Sequence, residues 1–172
     1  IIVRHLNDMS ASDVQLWSKF ADHYDVEVLS QSGGYDSVRG LTGAAVMKLH
    51  YQLESLRMEF DPRQFTQVNA DMNARLIATA IDYLKPLTKK EIIDLFCGIG
   101  NFSLPMARSG ASVLGVEFAQ ESVSQARLNA QINELAGAEF AVADLYKESP
   151  WLQKKPNATA LVLDPPRSGA GP

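Results

Sequence analysis

Hydrophobic and polar residues change their pattern partway along the chain. Near its start, apolar residues recur at helical spacing over residues 13–24, and either Ser10 or Ser12 can cap that helix. A short strand is predicted at Val26–Leu29. Four glycines among polar residues then predict a loop or hairpin connection over Gln31–Gly43.

Apolar residues next alternate with polar or small ones from Met47 to Leu53 and from Leu56 to Phe60, which predicts two half-buried antiparallel strands. After Pro62, a helix is predicted near residues 68–84 from apolar residues at four-residue steps. Strands are then predicted at 91–96, 112–117, 138–142 and 159–163, between helices at 101–109 and 120–133 and a short one near 145–152. Such alternation is typical of a parallel sheet with right-handed crossovers, of which four strands are only a part.

Acidic residues and glycines follow each predicted strand of this sheet. They are Asp94–Asn101, Glu117, Asp144 and Asp164. Ligands of open parallel sheets bind at the carboxyl ends of the strands. The sequence therefore predicts one ligand site at that edge.

The segment after the first of these strands carries the most specific signal. Gly98 and Gly100 let the backbone approach a ligand closely, and Glu117 at the end of the next strand is placed to accept hydrogen bonds from a ribose diol. The third glycine of the dinucleotide-binding fingerprint is replaced by Ser103. Asp94, Gly98 and Gly100 instead resemble the loop of S-adenosylmethionine-dependent methyltransferases.

Each candidate residue also has a structural alternative. Glu117 could be a solvated strand-end acid, Asp144 the N-cap of the helix at 145–152, and Asp164 part of a plain turn before two prolines. Cys97 could be a nucleophile, but packing as a small buried hydrophobic residue is the favoured interpretation.

Composition narrows the function classes. The chain has 172 residues, 46% of them hydrophobic, and a net charge of −4, so a real core is expected and charge gives no hint of nucleic-acid binding. One cysteine excludes an internal disulfide framework and a four-cysteine metal site. No apolar run of membrane-spanning length and no signal peptide is visible, so a cytoplasmic protein is expected. The absence of an initiator methionine and the strand-like start at Ile1 suggest a fragment of a longer protein.

Three motifs together resemble the RNA (uracil-5) methyltransferases. They are Phe65-Thr66-Gln67-Val68-Asn69, the segment from Asp94 to Phe102, and Asp164-Pro165-Pro166-Arg167-Ser168-Gly169. Val3-Arg4-His5 and the Phe-x-Gln-Val-Asn form are most similar to the branch that makes 5-methyluridine in 23S ribosomal RNA.

The resemblance implies a role for seven residues in binding S-adenosylmethionine. Gln67 would bind the cofactor from the side, Phe96 would pack against it, and Gly98 would admit it closely. Asn101 would contact its methionine moiety, Glu117 its ribose and Asp144 its adenine. Asp164 would border both the cofactor and the target uracil.

The family's chemistry adds a cysteine thiolate to carbon 6 of uracil, which creates an enolate that takes the methyl group at carbon 5. A general base then removes the carbon-5 proton and the cysteine leaves carbon 6. The resemblance places that cysteine and base C-terminal to this chain, so no catalytic residue and no metal ligand is predicted here. The N-terminal RNA-binding barrel and the cysteines of an iron–sulfur cluster, where the parent protein carries one, would also lie outside it.

The predicted fold is therefore α/β: part of a Rossmann-like methyltransferase sheet over residues 63–172, preceded by a small α+β domain over residues 1–62. The predicted function is methyl transfer to carbon 5 of a uridine in ribosomal RNA by a monomeric parent protein without membrane association, the chain itself being inactive. The alternatives are a uracil-5 methyltransferase for transfer RNA or another ribosomal position, and a non-catalytic S-adenosylmethionine-binding module.

Overall fold

Parallel strands and helices alternate through the second part of the chain, as the sequence predicts. The computed structural model describes residues 1–43, 46–147 and 157–170. They form two units, of which the first contains Ile1–Leu49 and Phe60–Phe65 and the second His50–Glu59 and Thr66–Pro172.

The first unit contains a helix and a small mixed sheet. Helix α1 (Ala11–Tyr24) begins at Ser10, whose hydroxyl accepts from the Asp13 amide while the Asp13 carboxylate accepts from the Ser10 amide. Strand β1 (Ile2–Arg4) pairs parallel with β2 (Leu29–Gln31), and β2 pairs antiparallel with β3 (Arg39–Gly40).

One expectation for this unit was wrong in its bounds, and one is confirmed. The strand predicted at 26–29 lies at 29–31. The segment predicted as a loop or hairpin connection joins the antiparallel strands β2 and β3 and contains a 3-10 turn at Tyr35–Ser37. The shift of the strand follows from pairing: β2 takes its register from β1, where Ile2 lies opposite Leu29, and local apolar spacing carries no information about that partner.

The two alternating segments form a hairpin of β4 (Leu49–Leu53) and β5 (Leu56–Phe60). Its turn is Glu54-Ser55, with Glu54 in the left-handed region at φ 52°. The sequence places this hairpin before a boundary at residues 62–63, whereas residues 50–59 group with the second unit. The domain division of the parent protein stays a prediction.

The second unit is an α/β fold around a four-stranded parallel sheet of order β8-β7-β6-β9, which confirms the predicted fold class. Its elements are α2 (Ala70–Leu84), β6 (Glu91–Leu95), α3 (Ser103–Arg108), β7 (Ser112–Glu117), α4 (Gln120–Ile132), β8 (Ala138–Val142) and β9 (Ala160–Leu163). Residues 145–147 lie in a turn, and the rest of the short helix predicted near 145–152 lies outside the described residues.

The core of this unit lies on both faces of the sheet. Four consecutive residues of β7, Val113 to Val116, are buried, because helices cover both faces of a parallel sheet. On one face Ile93, Leu114, Val116 and Ala141 form a buried cluster. Among the described helices, none is both long enough and apolar enough to cross a membrane.

Candidate functional site

The carboxyl ends of the four parallel strands meet at one edge of the sheet. Leu95 of β6 lies opposite Val116 of β7 on one side and Leu163 of β9 on the other, so the three strands end level with one another. Glu117 of β7 lies opposite Val142 of β8. The segments after each strand, which carry the predicted ligand residues, therefore converge as the sequence predicts.

A hydrogen bond joins the glycine loop to Glu117 at the end of the next strand. The Gly98 amide donates to Glu117 Oε2 at 3.3 Å, across 19 residues of sequence. Glu117 Oε1 accepts from the amides of Phe118 at 2.8 Å and Ala119 at 3.0 Å. Glu117 is therefore not merely a solvated acid, because its carboxylate fixes both the glycine loop and the entry to α4.

The two glycines of this loop serve different purposes. Gly98 has φ 53°, and a Cβ built on it would meet no atom within 4 Å among the described residues, so its backbone faces open space. Gly100 has φ 95°, and its Cβ would lie 3.0 Å from Leu104 Cγ. Gly100 is needed for a left-handed backbone and close packing on α3, and the approach of a ligand to either glycine stays a prediction.

Asp94 lies beneath the loop as a buried carboxylate. It is fully inaccessible; Ser103 Oγ donates to Oδ2, and Oδ1 has no hydrogen-bond partner within the described ranges. Burial raises the pKa of Asp94 to about 7, the Ser103 hydrogen bond opposes that rise, and the charges of Asp164 and Glu117 add to it. The sequence analysis missed Ser103 as a partner of Asp94, because a serine nine residues after an aspartate forms no recognisable pattern.

Cys97 packs under the sheet edge. Its side chain is 5% exposed, and Sγ lies 3.8 Å from the Gly98 carbonyl oxygen. Burial raises the pKa of the Cys97 thiol well above its ordinary value, and the Asp94 charge adds to the rise. A thiol that resists ionisation is a poor nucleophile, which supports the packing interpretation.

An aromatic contact joins the segments after β6, β8 and β9. The Phe96 and Tyr146 rings meet edge to face with centroids 6.2 Å apart. The Tyr146 hydroxyl donates to the Gly169 carbonyl at 2.9 Å. Tyr146 was not singled out from the sequence, because an exposed tyrosine in a polar segment has no distinguishing local pattern.

Asp144 and Asp164 differ in how they are held. Asp144 Oδ1 accepts from the Tyr146 amide at 3.1 Å, and Oδ2 lies 3.0 Å from Lys147 Nζ. The Lys147 contact and the Tyr146 amide hold the pKa of Asp144 below its ordinary value. Asp164 is exposed before the Pro165-Pro166 corner, which continues into a turn closed by the Gly169 amide and the Pro166 carbonyl at 2.8 Å.

Asn101 forms a reciprocal amide pair with Asn73 of α2. Each Nδ2 donates to the other's Oδ1 at 2.9 Å, and the Tyr51 hydroxyl donates to Asn101 Oδ1 at 3.4 Å. Asn73 was missed, although an asparagine inside a helix is a usable signal because it lowers helix propensity. Gln67 is half-buried in the segment before α2, and its place in the site stays a prediction.

The sequence and the fold of this chain are similar to those of known proteins. The family described as tRNA (uracil-5-)-methyltransferase matches residues 3–147. A 23S rRNA (uracil(1939)-C(5))-methyltransferase of Stenotrophomonas maltophilia is 42% identical over 175 residues, which cover 99% of this chain and 39% of the relative. Its counterpart in Hahella chejuensis is 39% identical, covering 99% of this chain and 40% of the relative.

One similar solved structure is the Pyrococcus abyssi tRNA (uracil-54, C5)-methyltransferase in complex with S-adenosyl-L-homocysteine. The match has a TM-score of 0.70 and 20% identity, and it covers 99% of this chain and 40% of the archaeal chain. That likeness shows the same fold. The chain spans about two fifths of the length of the curated relatives it matches. The sequence match over most of its residues shows that the chain belongs to the tRNA (uracil-5-)-methyltransferase family.

Proposed function

We propose that this chain is the S-adenosylmethionine-binding part of an enzyme that methylates carbon 5 of a uridine in 23S ribosomal RNA. The observation that carries the proposal is the contact between the Gly98 amide and the Glu117 carboxylate at the carboxyl edge of the parallel sheet. It joins a loop that can admit a ligand to an acid suited to a ribose. Relatives about 40% identical are named for this reaction.

Two features of the site fit a nucleoside cofactor with a charged amino-acid end. The open space at Gly98 leaves room for a ligand against the backbone. Oδ1 of Asp94, which has no hydrogen-bond partner among the residues that the structure describes, provides a buried negative charge or hydrogen-bond acceptor near the loop. S-adenosylmethionine supplies the electrophilic methyl group when it is bound.

The chain's own residues would hold the cofactor as the family resemblance implies. Glu117 would accept from the ribose hydroxyls with lone pairs that its three amide donors leave free. Phe96, fixed by Tyr146, would pack against the cofactor. Asn101, oriented by Asn73, would contact the methionine moiety.

Three further residues would complete the cofactor site. Asp144 would face the adenine, Gln67 would close the side of the site, and Asp164 would border the uracil. With the only cysteine buried, the nucleophile for carbon 6 would come from elsewhere in the parent protein.

Binding of S-adenosylmethionine to the full-length parent tests the proposal. Glu117→Ala should weaken binding by about 1–3 kcal/mol, the range for hydrogen bonds to a charged group. The control is Glu121→Ala, which removes an exposed acid from the first turn of α4. Unchanged calorimetric affinity in a folded Glu117→Ala protein would remove Glu117 from the site, and no binding by the wild type would refute the proposed function.

The acceptor is tested separately, because the family description and the archaeal structure both name transfer RNA. We expect the parent to methylate 23S ribosomal RNA from cells that lack its gene, and not transfer RNA from the same cells. The reverse result would assign it to transfer RNA, and cofactor binding without transfer to either would favour a non-catalytic module. We further propose a monomer in the cytoplasm, where ribosomal RNA is modified, and mass measurement in solution tests the first point.

A further inference from the structure

Asn129 of α4 and Asn133, the C-cap residue that follows α4, bind the hairpin as a neighbouring strand would. Asn133 Oδ1 accepts from the Arg57 amide at 2.9 Å, and its Nδ2 donates to the Arg57 carbonyl at 2.8 Å. Asn129 repeats the arrangement with Glu59, at 2.9 Å and 3.0 Å. Four residues of helix rise about 6 Å and two of strand about 6.7 Å, so the side chains one turn apart match alternate residues of β5.

The two asparagines differ in the hydrogen bonds that they make beyond the hairpin. Asn129 Nδ2 also donates to the carbonyl of Ile99 at 3.2 Å, whereas Asn133 Nδ2 also donates to the Asn129 carbonyl within its own helix at 2.7 Å. The Asn129 side chain is fully buried, and its Oδ1 takes a second donor, Gln125 Nε2, at 3.2 Å. Asn129 therefore connects the hairpin with the glycine loop, and Asn133 does not make that connection.

Asn129 binds a part of the glycine loop whose backbone has unusual freedom. Ile99 lies between two glycines in the left-handed region, Gly98 at φ 53° and Gly100 at φ 95°. Glycine permits many alternatives to these angles, so an unfixed loop would lose conformational entropy on binding a ligand. The Gly98 amide is fixed by Glu117 and the Ile99 carbonyl by Asn129, so both ends of the Gly98–Ile99 segment are held.

We propose that Asn129 is a positioning residue, which holds the Gly98–Gly100 loop in its cofactor-accepting conformation and couples that loop to the hairpin at Glu59. The inference rests on the proposed function, since it requires that this loop binds S-adenosylmethionine. The hairpin then contributes to cofactor binding through Asn129, although β5 does not contact the cofactor.

The test compares Asn129→Leu with Asn133→Leu in the full-length protein, at a temperature where circular dichroism shows both to be folded. Both variants lose two bonds to β5 and should lower the melting temperature. Only Asn129→Leu should raise the dissociation constant for S-adenosylmethionine, by about five- to tenfold, the equivalent of one buried hydrogen bond. Equal changes in the two dissociation constants, or none in Asn129→Leu, would overturn the proposal.

A measurement on the wild type keeps the proposal testable if either variant fails to fold. Amide hydrogen exchange is followed by NMR at Glu59, whose amide donates to Asn129, and at Arg57, whose amide donates to Asn133. Added S-adenosylmethionine should slow exchange at Glu59 several-fold more than at Arg57. Equal protection of the two amides would refute the coupling, whereas a wild type that binds no cofactor would refute the proposed function instead.

Discussion

Replacement of Asp94 by asparagine should stabilise the protein at neutral and alkaline pH. The carboxylate is fully buried, accepts one hydrogen bond from Ser103, and leaves Oδ1 without a partner among the described residues. Ionising such a group in the folded state is costly, because water no longer solvates the charge. Asparagine has nearly the same shape and carries no charge.

The magnitude follows from the pKa of Asp94, which burial raises from 3.8 to about 7. Below pH 3.8 both the folded and the unfolded state hold the proton, so stability is highest there with respect to this group. Between pH 3.8 and 7 only the unfolded state releases it, and stability falls as pH rises. At about 1.4 kcal/mol per pKa unit, the full loss above pH 7 is on the order of 4 kcal/mol.

The assay is denaturant unfolding of the full-length wild type and Asp94→Asn between pH 4 and 8.5. The difference between the two proteins is dominated by Asp94, since acids distant from it titrate equally in both. We expect the free energy of unfolding of the variant to exceed that of the wild type by an amount that grows up to pH 7 and stays constant above it. Ser103→Ala should raise the pH at the midpoint of the Asp94 titration, because the hydrogen bond that it removes favours the charged form of Asp94.

A difference between wild type and Asp94→Asn that does not vary from pH 4 to 8.5 would refute this reasoning. Carbon-13 NMR of the Asp94 carboxyl group gives an independent result. A midpoint near 4 in the native protein would show that solvent or a counter-charge reaches the carboxylate.

Three further outcomes are expected. Gly115→Ala should cost about 1–3 kcal/mol in unfolding experiments, because its Cβ would lie 2.6 Å from Phe140 Cδ1 and 2.9 Å from Cys97 Sγ; unchanged stability would contradict this packing. Cys97→Ala in the full-length enzyme should retain most methyl transfer and lose about 1 kcal/mol of stability, and an adduct of Cys97 with 5-fluorouracil-containing RNA would overturn its packing role. Residues 1–172 alone should transfer no labelled methyl to ribosomal RNA, since their single cysteine is buried with a raised pKa; robust turnover would refute the uracil-5 mechanism for this chain.

The sequence by itself determined the elements of the parallel sheet and the edge at which the predicted ligand residues lie. Apolar runs bounded by helical patterns predicted β6, β7, β8 and β9 to within a residue or two, because buried parallel strands are apolar on both faces. The positions of Glu117 and the glycine loop followed, since the carboxyl ends of parallel strands share an edge. Residues whose role depends on chain order and local pattern are therefore visible in the sequence.

Only the tertiary structure decided which polar side chains meet. Asn129 is hydrogen-bonded to Glu59, 70 residues away in sequence, and Asn73 is hydrogen-bonded to Asn101, 28 residues away. Periodicity records which face of an element is buried, but it carries no information about the partner of a buried amide. The same limit applies to β2, whose register β1 sets, and to the hairpin, which groups with the second unit. Long-range hydrogen bonds are specified by geometry that forms only when distant segments pack, so the structure alone reveals them.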